Sequence, residues 1–247
     1  MKKIWFTQFH PKPLVGLGVI ACLLWEIRKG YFEKLTAFVK QLDWAPYGKM
    51  LFVFAAVSAS FFVIDPRILH QVQSFQHPVL RILEQFGAWI GRGIHPWGIL
   101  IGVYFLFEFL FRNQASSRKA FGAILSGGFV SLITYGMKYS FLRARPYGNE
   151  GSFSFFNLEG ITQDARVYHS FPSGDTVVVA GISFFLWHQL KTHKGAWIFL
   201  LLPLMTAYSR MFLNRHWPSD TLMSLGIGWT FSLLIHEYHR YAFREEV

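Results

Sequence analysis

Residues 51–64 read LFVFAAVSASFFVI, a run without a single charge, bounded by Lys49 on one side and by Asp65-Pro66-Arg67 on the other. With its flanks, at roughly 49–65, this run approaches the ~20 apolar residues a helix needs to cross a bilayer. The pattern recurs at about 96–112, which holds GILIGVYFLFEFLF, and at about 119–138, where Gly and Ala permit close helix contact. It recurs again at about 174–190, 195–209 and 220–236. Six such runs predict an all-α integral membrane protein, a bundle of about six transmembrane helices with interfacial amphipathic helices beside it. Composition points the same way. Of 247 residues, 52% are hydrophobic and only 15% charged, against about 25% charged in a soluble domain. The mean hydropathy is positive. Disorder is excluded by 27 Phe, 9 Trp and 10 Tyr. A compact nucleic-acid binder has no use for so many long apolar runs, so the net charge of +10 is not read as a nucleic-acid signal.

The single cysteine excludes a disulfide framework within the chain and any cysteine-based metal cluster. Cys22, in Val19-Ile20-Ala21-Cys22, superficially fits a lipoprotein processing box. Bulky Leu23, Leu24 and Trp25 follow it, so it reads as a buried or lipid-facing thiol. No small-x-small site follows the apolar run, which speaks against a cleavable signal peptide. Residues 14–25 are too few to span, and 26–48 mix Arg28, Lys29, Lys34 and Lys40 with aromatics. Residues 1–48 are therefore expected as a cytoplasmic or interfacial segment, with a seventh span as the alternative, and 49–247 as the membrane domain. Leu69, Val72, Phe75, Val79, Ile82, Phe86 and Ile90 recur near helical spacing and predict one amphipathic helix over the mouth of the bundle.

Orientation follows from the loops. Arg112 to Lys119 and the segment with Lys191 and Lys194 are short, basic and free of acid, which places both in the cytoplasm. The N-terminal segment and the tail then lie inside too. The loops at about 139–173 and 210–219 face outward, yet they carry Arg143, Arg145, Arg166, Arg210 and Arg215 on the side where positive charge is disfavoured. Charge placed against that bias needs a reason.

Three clusters fall on this outer side. Lys138 ends the third run and Arg145-Pro146 follows seven residues later. Ser170-Phe171-Pro172-Ser173-Gly174-Asp175-Thr176 opens the fourth, where a helix N-terminus offers free N–H groups and a positive dipole end to an anion. Ser209-Arg210 and then His216, four residues before Asp220, lead into the sixth; that spacing lets a carboxylate reach the imidazole, as a base and its orienting acid do. Each has an ordinary explanation on its own: snorkelling cations, a helix start, local capping. All three at one end of one bundle are harder to explain that way.

Lys138-x6-Arg145-Pro146, Pro172-Ser173-Gly174 and Ser209-Arg210-x5-His216-x3-Asp220 together resemble the three-part signature of the type 2 phosphatidic acid phosphatase superfamily. The motifs cover residues 138–220, and the N-terminal third contributes nothing to the match. The resemblance implies a metal-independent phosphatase, without cofactor, that works through a phosphohistidine. His216 is then the nucleophile, with Asp220 holding its tautomer. Lys138, Arg145 and Arg210 bind phosphoryl oxygens, and Ser173 and the Gly174 amide complete the cradle. A phosphoryl transition state spreads charge over its equatorial oxygens, so fixed positive charge at these positions suits the reaction.

One position departs from the family pattern. Where the family has a histidine after Pro-Ser-Gly, this chain has Asp175. Either Asp175 is a carboxylic general acid, or the leaving group needs little protonation. His169 is an alternative acid, although a plain loop histidine fits it better. Phe153, Phe155 and Phe156 suggest an aromatic lip for lipid or acyl chain, and interfacial anchoring explains them equally well. Glu108 inside the second run is expected to pair with a basic residue near the cytoplasmic end. The resemblance implies a membrane lipid phosphate as substrate, at the periplasmic face of a bacterial inner membrane. Lipid A is favoured over undecaprenyl diphosphate and phosphatidylglycerophosphate, because an anomeric phosphate suits a weakened acid and a large head group suits the long loop. Lipid-to-lipid phosphotransfer and a non-catalytic lipid-phosphate binder stay open as alternatives, and the oligomeric state is undetermined.

Overall fold

The computed structural model describes residues 12–243 apart from Gly93, 159–163 and Ala165. The first eleven residues of the expected N-terminal segment and the last four of the tail lie outside the described residues. Among the described residues there are helices and loops but no strand. The helices are α1 (Lys12–Arg28), α2 (Leu35–Gln41), α3 (Ala45–Phe61), α4 (Asp65–Ser74), α5 (Pro78–Gly91), α6 (Ile94–Phe105), α7 (Gln114–Phe141), α8 (Gly174–Leu190), α9 (Ile198–Phe212) and α10 (Pro218–Ala242). A π turn, Leu106–Leu110, extends α6.

Helix α8 is the centre of the bundle and packs on α7, α9 and α10. Its side chains are buried almost continuously from Thr176 to Phe185, as expected of a helix that is apolar all round and enclosed by neighbours. Close approach depends on glycine. A Cβ on Gly122 of α7 would stand 2.2 Å from Phe185 Cζ, and one on Gly228 of α10 would stand 2.3 Å from the Ala180 Cβ. Large apolar side chains on the outer faces are bare: Phe52 is 74% exposed and Leu132 70%. Apolar exposure on this scale marks a surface made for lipid.

Among the described residues, one segment, Gln114–Gly148, is by length and composition long and apolar enough to cross a membrane alone. Two further candidates are bent pairs; α3 and α4 turn by 77° at their junction. The expected count of six spans therefore exceeds the one to three that length and apolarity give. The physical reason is that α3 and α8 have 17 residues and α9 has 15, short of a full span. Residues 67–95 also differ from the single helix expected. The chain breaks at Gln76-His77, and Pro78 starts α5 with the His77 side chain accepting from the Val79 N–H at 3.3 Å. Proline has no N–H to continue a helix and restricts the residue before it.

Helix α1 runs alongside α6 in the same direction: Gly18 lies against Ile101, and Glu26 accepts from the Tyr104 hydroxyl at 2.6 Å. The residues after it are tied into the bundle as well, for Tyr31 packs on Phe121 and Tyr238, and its hydroxyl lies 3.2 Å from His239 Nδ1. Cys22 is fully buried. Glu108 has the basic partner expected of it: Lys29 Nζ is 2.9 Å away, with Trp25 and Ser117 also donating to the carboxylate.

Candidate active site

Four helix ends meet at one end of the bundle. The chain arrives there on α7 and α9 and departs on α8 and α10, so the three sequence clusters are brought together by alternating helix direction alone. The local chain turns are sharp. Leu142 takes a left-handed conformation (φ 44°) that ends α7, and Asn214 (φ 57°) does the same just after α9.

Between α7 and α8 the outer loop folds back on Arg143-Ala144-Arg145. Ala144 N–H donates to the Ser154 carbonyl at 2.9 Å, Arg145 N–H to Val167 at 2.8 Å, and Ser170 N–H to the Arg143 carbonyl at 3.0 Å. Trp217 Nε1 clamps the Ala144 carbonyl from the other side at 2.9 Å. This splint separates two arginines that the sequence placed together. Arg145 stays at the surface of the site, with its Nε buried and unpartnered, whereas Arg143 is completely buried.

His216 is buried beneath the outer surface, with its backbone N–H on the Arg210 carbonyl at 3.3 Å. Its Nδ1 faces Asp220 Oδ2 at 3.6 Å, just beyond hydrogen-bond length, and has no other partner. Asp220 is fully buried and heavily held. Oδ2 accepts from the Ser170 hydroxyl and from the Trp217 N–H at 2.8 Å, while Oδ1 accepts from Arg143 Nη1 at 2.6 Å. Burial pushes the His216 imidazole down to about 3, with the nearby cations Arg145 and Lys138 acting in the same direction against the pull of Asp220. Burial thus favours the neutral ring, whose lone pair is free to act.

The other expected residues surround it. Lys138 Nζ donates to the His169 carbonyl at 2.7 Å, and its Cε lies 3.5 Å from where a Cβ on Gly174 would sit. Gly174 is therefore where the lysine passes the start of α8. Ser173 precedes α8 and is fully buried; its hydroxyl pairs with Thr176 Oγ1 at 3.0 Å and its N–H reaches the Asp220 carbonyl at 3.3 Å. Arg210 is buried on α9, with Nη1 on Asp175 Oδ2 at 2.8 Å and Nε unpartnered. The end of α5 closes over this pair: the Ala88 carbonyl accepts from Arg210, and Gly91 lies against Arg210 and Asp175. His169 has its ring against Tyr139 and a buried, unpartnered Nε2; burial and the cations Lys138 and Arg145 push its imidazole down.

The structure thus gathers Lys138, Arg145, Ser173, Gly174, Asp175, Arg210, His216 and Asp220 at one end. Sequence reasoning gave no role to Asp65, to Ser219 or to Ser170, although Ser170 stood in the cluster at the start of the fourth run, and it gave Arg143 no task beyond being positive on the outer side. Asp65 was read only as the edge of the first apolar run. An acid at a run's end on the arginine-rich side was the signal available.

Cations, a helix start and a buried histidine facing a buried carboxylate lie together at one end of an apolar helical bundle, an arrangement suited to a phosphorylated anion. The chain belongs to the PAP2 superfamily, whose family model matches residues 119–244, just over half of it. It is 27% identical over 158 residues to a lipid A 1-phosphatase of Rhizobium etli, a match covering 58% of this chain and 66% of that relative, slightly under two thirds. The fold is similar to that of the crystal structure of Aquifex aeolicus LpxE, with TM-score 0.50 and 21% identity over 70% of this chain and 95% of that one. It is also similar to a transmembrane PAP2-type phosphatidylglycerolphosphate phosphatase from Bacillus subtilis, with TM-score 0.57 and 15% identity over 79% and 96% of the two chains.

Proposed function

We propose that this protein is a membrane lipid phosphatase that removes a phosphate through a phosphohistidine on His216. The observation that carries this is the buried His216 imidazole facing the buried Asp220 carboxylate at the end of the bundle where Lys138, Arg145 and Arg210 gather. Nε2 attacks phosphorus, the bond from phosphorus to the lipid oxygen breaks, and that oxygen takes a proton from water at the open mouth. The imidazole becomes cationic, and its Nδ1–H closes the 3.6 Å gap to Asp220. The hydroxide left by that water then attacks the phosphohistidine, and the P–N bond breaks, releasing hydrogen phosphate and restoring the neutral ring. Lys138, Arg145 and Arg210 neutralise the equatorial oxygens, with the free N–H groups at the start of α8 assisting.

Asp175 holds Arg210 in place rather than donating the proton, since its carboxylate is already engaged with the guanidinium. That assignment favours a substrate whose leaving oxygen departs readily. An anomeric sugar phosphate, such as the 1-phosphate of lipid A, is of that kind, and the Rhizobium etli relative bears that name. Two clefts support a large lipid. An apolar one of about 570 Å³ opens between α3 and α7, lined by Phe62, Met137, Phe141, Phe153, Phe155 and Phe171 among others, which suits acyl chains. A polar one of about 550 Å³ lies beside Arg145, Tyr147, Asp164, Arg166 and Arg215, which suits an anionic sugar head group. Six helices, α3 and α6 to α10, cross the membrane in this reading. The end bearing Arg112, Lys119, Lys191 and Lys194 faces the cytoplasm, and the site faces the periplasm.

The test is phosphate release by the detergent-purified protein, with EDTA present, from lipid A phosphorylated at the 1- or 4′-position, undecaprenyl diphosphate and phosphatidylglycerophosphate. Release from the 1-phosphate, abolished by His216→Ala, is expected. Release that survives His216→Ala ends the phosphohistidine reading. Phosphate appearing on an acceptor lipid makes the protein a phosphotransferase instead, and binding without turnover makes it a binder.

A further inference from the structure

Asp65 lies outside the region matched by the family model, on the first turn of α4, yet it is fully buried 154 positions away in sequence from its main partner. Its Oδ1 accepts from the Ser219 N–H at 2.9 Å; its Oδ2 accepts from the Ser219 hydroxyl and from Arg143 Nη2 at 2.7 Å. Burial pushes the Asp65 carboxyl up, while the hydrogen bonds from Ser219 and Arg143 favour its ionised form; the buried Arg143 guanidinium, 2.7 Å away, stands as its counter-ion. Arg143 is held just as completely. Nη1 reaches Asp220 Oδ1 and the Ser219 hydroxyl, both at 2.6 Å, and Nε and Nη2 reach the Ser152 carbonyl at 3.0 and 2.6 Å. Its guanidinium also lies over the Phe62 ring at 4.6 Å. No donor of this guanidinium is left for a phosphate.

Charge gives the network its meaning. Behind His216, two carboxylates, Asp65 and Asp220, share one guanidinium, Arg143, while the cations Lys138 and Arg145 lie near the ring as well. When His216 takes up a phosphoryl group its ring becomes cationic; the phosphoryl charge is met by Lys138, Arg145 and Arg210, and the ring's charge by the carboxylate pair behind it. A buried cationic ring is costly without a counter-charge, so a carboxylate pair held behind His216 lowers the cost of the phosphorylated state.

We propose that Asp65 is a positioning residue of this active site: through Arg143 and Ser219 it fixes Asp220 and supplies the second negative charge that balances cationic His216. The proposal rests on the phosphohistidine reading. It makes the junction of α3 and α4, part of the N-terminal third, a component of the catalytic end.

The experiment is a double-mutant cycle in the detergent-purified, full-length protein, with Asp65→Asn, Asp220→Asn and both together. Phosphate release from the lipid substrate is followed with a rapid-quench measurement of acid-labile phosphoprotein. Asp65→Asn is expected to lower kcat and the rate of phosphoprotein formation by about 10- to 100-fold, the usual effect of losing an outer partner of a reactive imidazole. KM should stay within about twofold, because Asp65 touches no phosphate-facing cation. In the Asp220→Asn background the same change should cost less than about twofold, since residues acting in one chain are not additive. A purely structural role predicts equal factors in both backgrounds and would overturn the proposal, as would wild-type kcat in Asp65→Asn. If Asp65→Asn does not purify as a folded protein, Arg143→Lys with and without Asp220→Asn is read by the same criterion. Glu108→Gln, an acid at the far end, serves as the control with unchanged activity. If Asp220→Asn or His216→Ala keeps full activity, the phosphohistidine reading itself has failed; if they do not and Asp65→Asn does, this proposal alone has failed.

Discussion

Asp175→Asn separates the two tasks a carboxylate can have at the start of α8. The side chain keeps its size and can still accept from Arg210 Nη1, 2.8 Å away, but loses its charge. If Asp175 protonates the leaving oxygen, its loss costs the 10²–10⁴-fold typical of general acid catalysis, in kcat, with KM little changed. If it only holds Arg210, a different result follows. A phosphoryl oxygen on the far side of the guanidinium lies about 6 Å from the carboxylate, where one unit charge repels another by roughly 3 kcal/mol at an effective dielectric of ~20. Asp175 is 39% exposed, so solvent screening reduces this to about 1 kcal/mol. The expected outcome is therefore KM about fivefold lower and kcat within about tenfold of the parent. Initial rates of phosphate release across lipid concentrations, at fixed detergent ratio, measure both constants. A kcat loss of 10² or more with unchanged KM refutes the assignment and returns Asp175 to the role of acid.

Two further expectations concern pH and the acyl cleft. His216 is depressed to about 3 by burial, and His169 is depressed in the same direction, while both titrate near 6.5 when unfolded. The unfolded chain then binds more protons between those values, so stability is complete above about pH 6.5 and declines as pH falls towards 3. Melting temperatures in detergent at pH 8, 6 and 4.5 should fall in that order, and a flat profile contradicts the burial argument. Phe153→Ala removes an exposed ring from the lip of the apolar cleft. Part of a phenylalanine's burial is worth about 1–2 kcal/mol, so KM for a long-chain lipid should rise roughly five- to thirtyfold while a short-chain soluble analogue is unaffected. Equal effects on both substrates argue against an acyl site.

The parts of this protein legible in its sequence are those encoded by near neighbours. The His216–Asp220 spacing, the start of α8 at Gly174 and the lysine at the end of α7 are local patterns, and alternating helix direction places them together. The pairing of Glu108 with a base was legible because an acid inside an apolar run has few alternatives. Arg143 shows where this stops. Two residues from Arg145, it carries the same charge in the same motif, yet packing over Phe62 and two distant carboxylates gives it a different task. Asp65 to Ser219 and Asp175 to Arg210 are likewise contacts that only assembled helices create. Span number was less legible, because apolar runs mark where helices form but not how long they are: α3, α8 and α9 have 17, 17 and 15 residues, and two candidate spans are bent pairs. The break at Pro78 was written in the chain, but the hydrophobic periodicity continues across it and hides it.

Since the chain reaches the site on α7 and α9 and leaves on α8 and α10, every group that handles the anion sits at a reversal of direction at the same end. The connection at the opposite end between α8 and α9, residues 191–197, bears no site residue and only joins two helices already locked by their packing. Lengthening it changes neither the direction nor the depth of either helix. It is the point where a tag, a reporter or a whole folded domain can be inserted from the far side, leaving the chemistry end untouched.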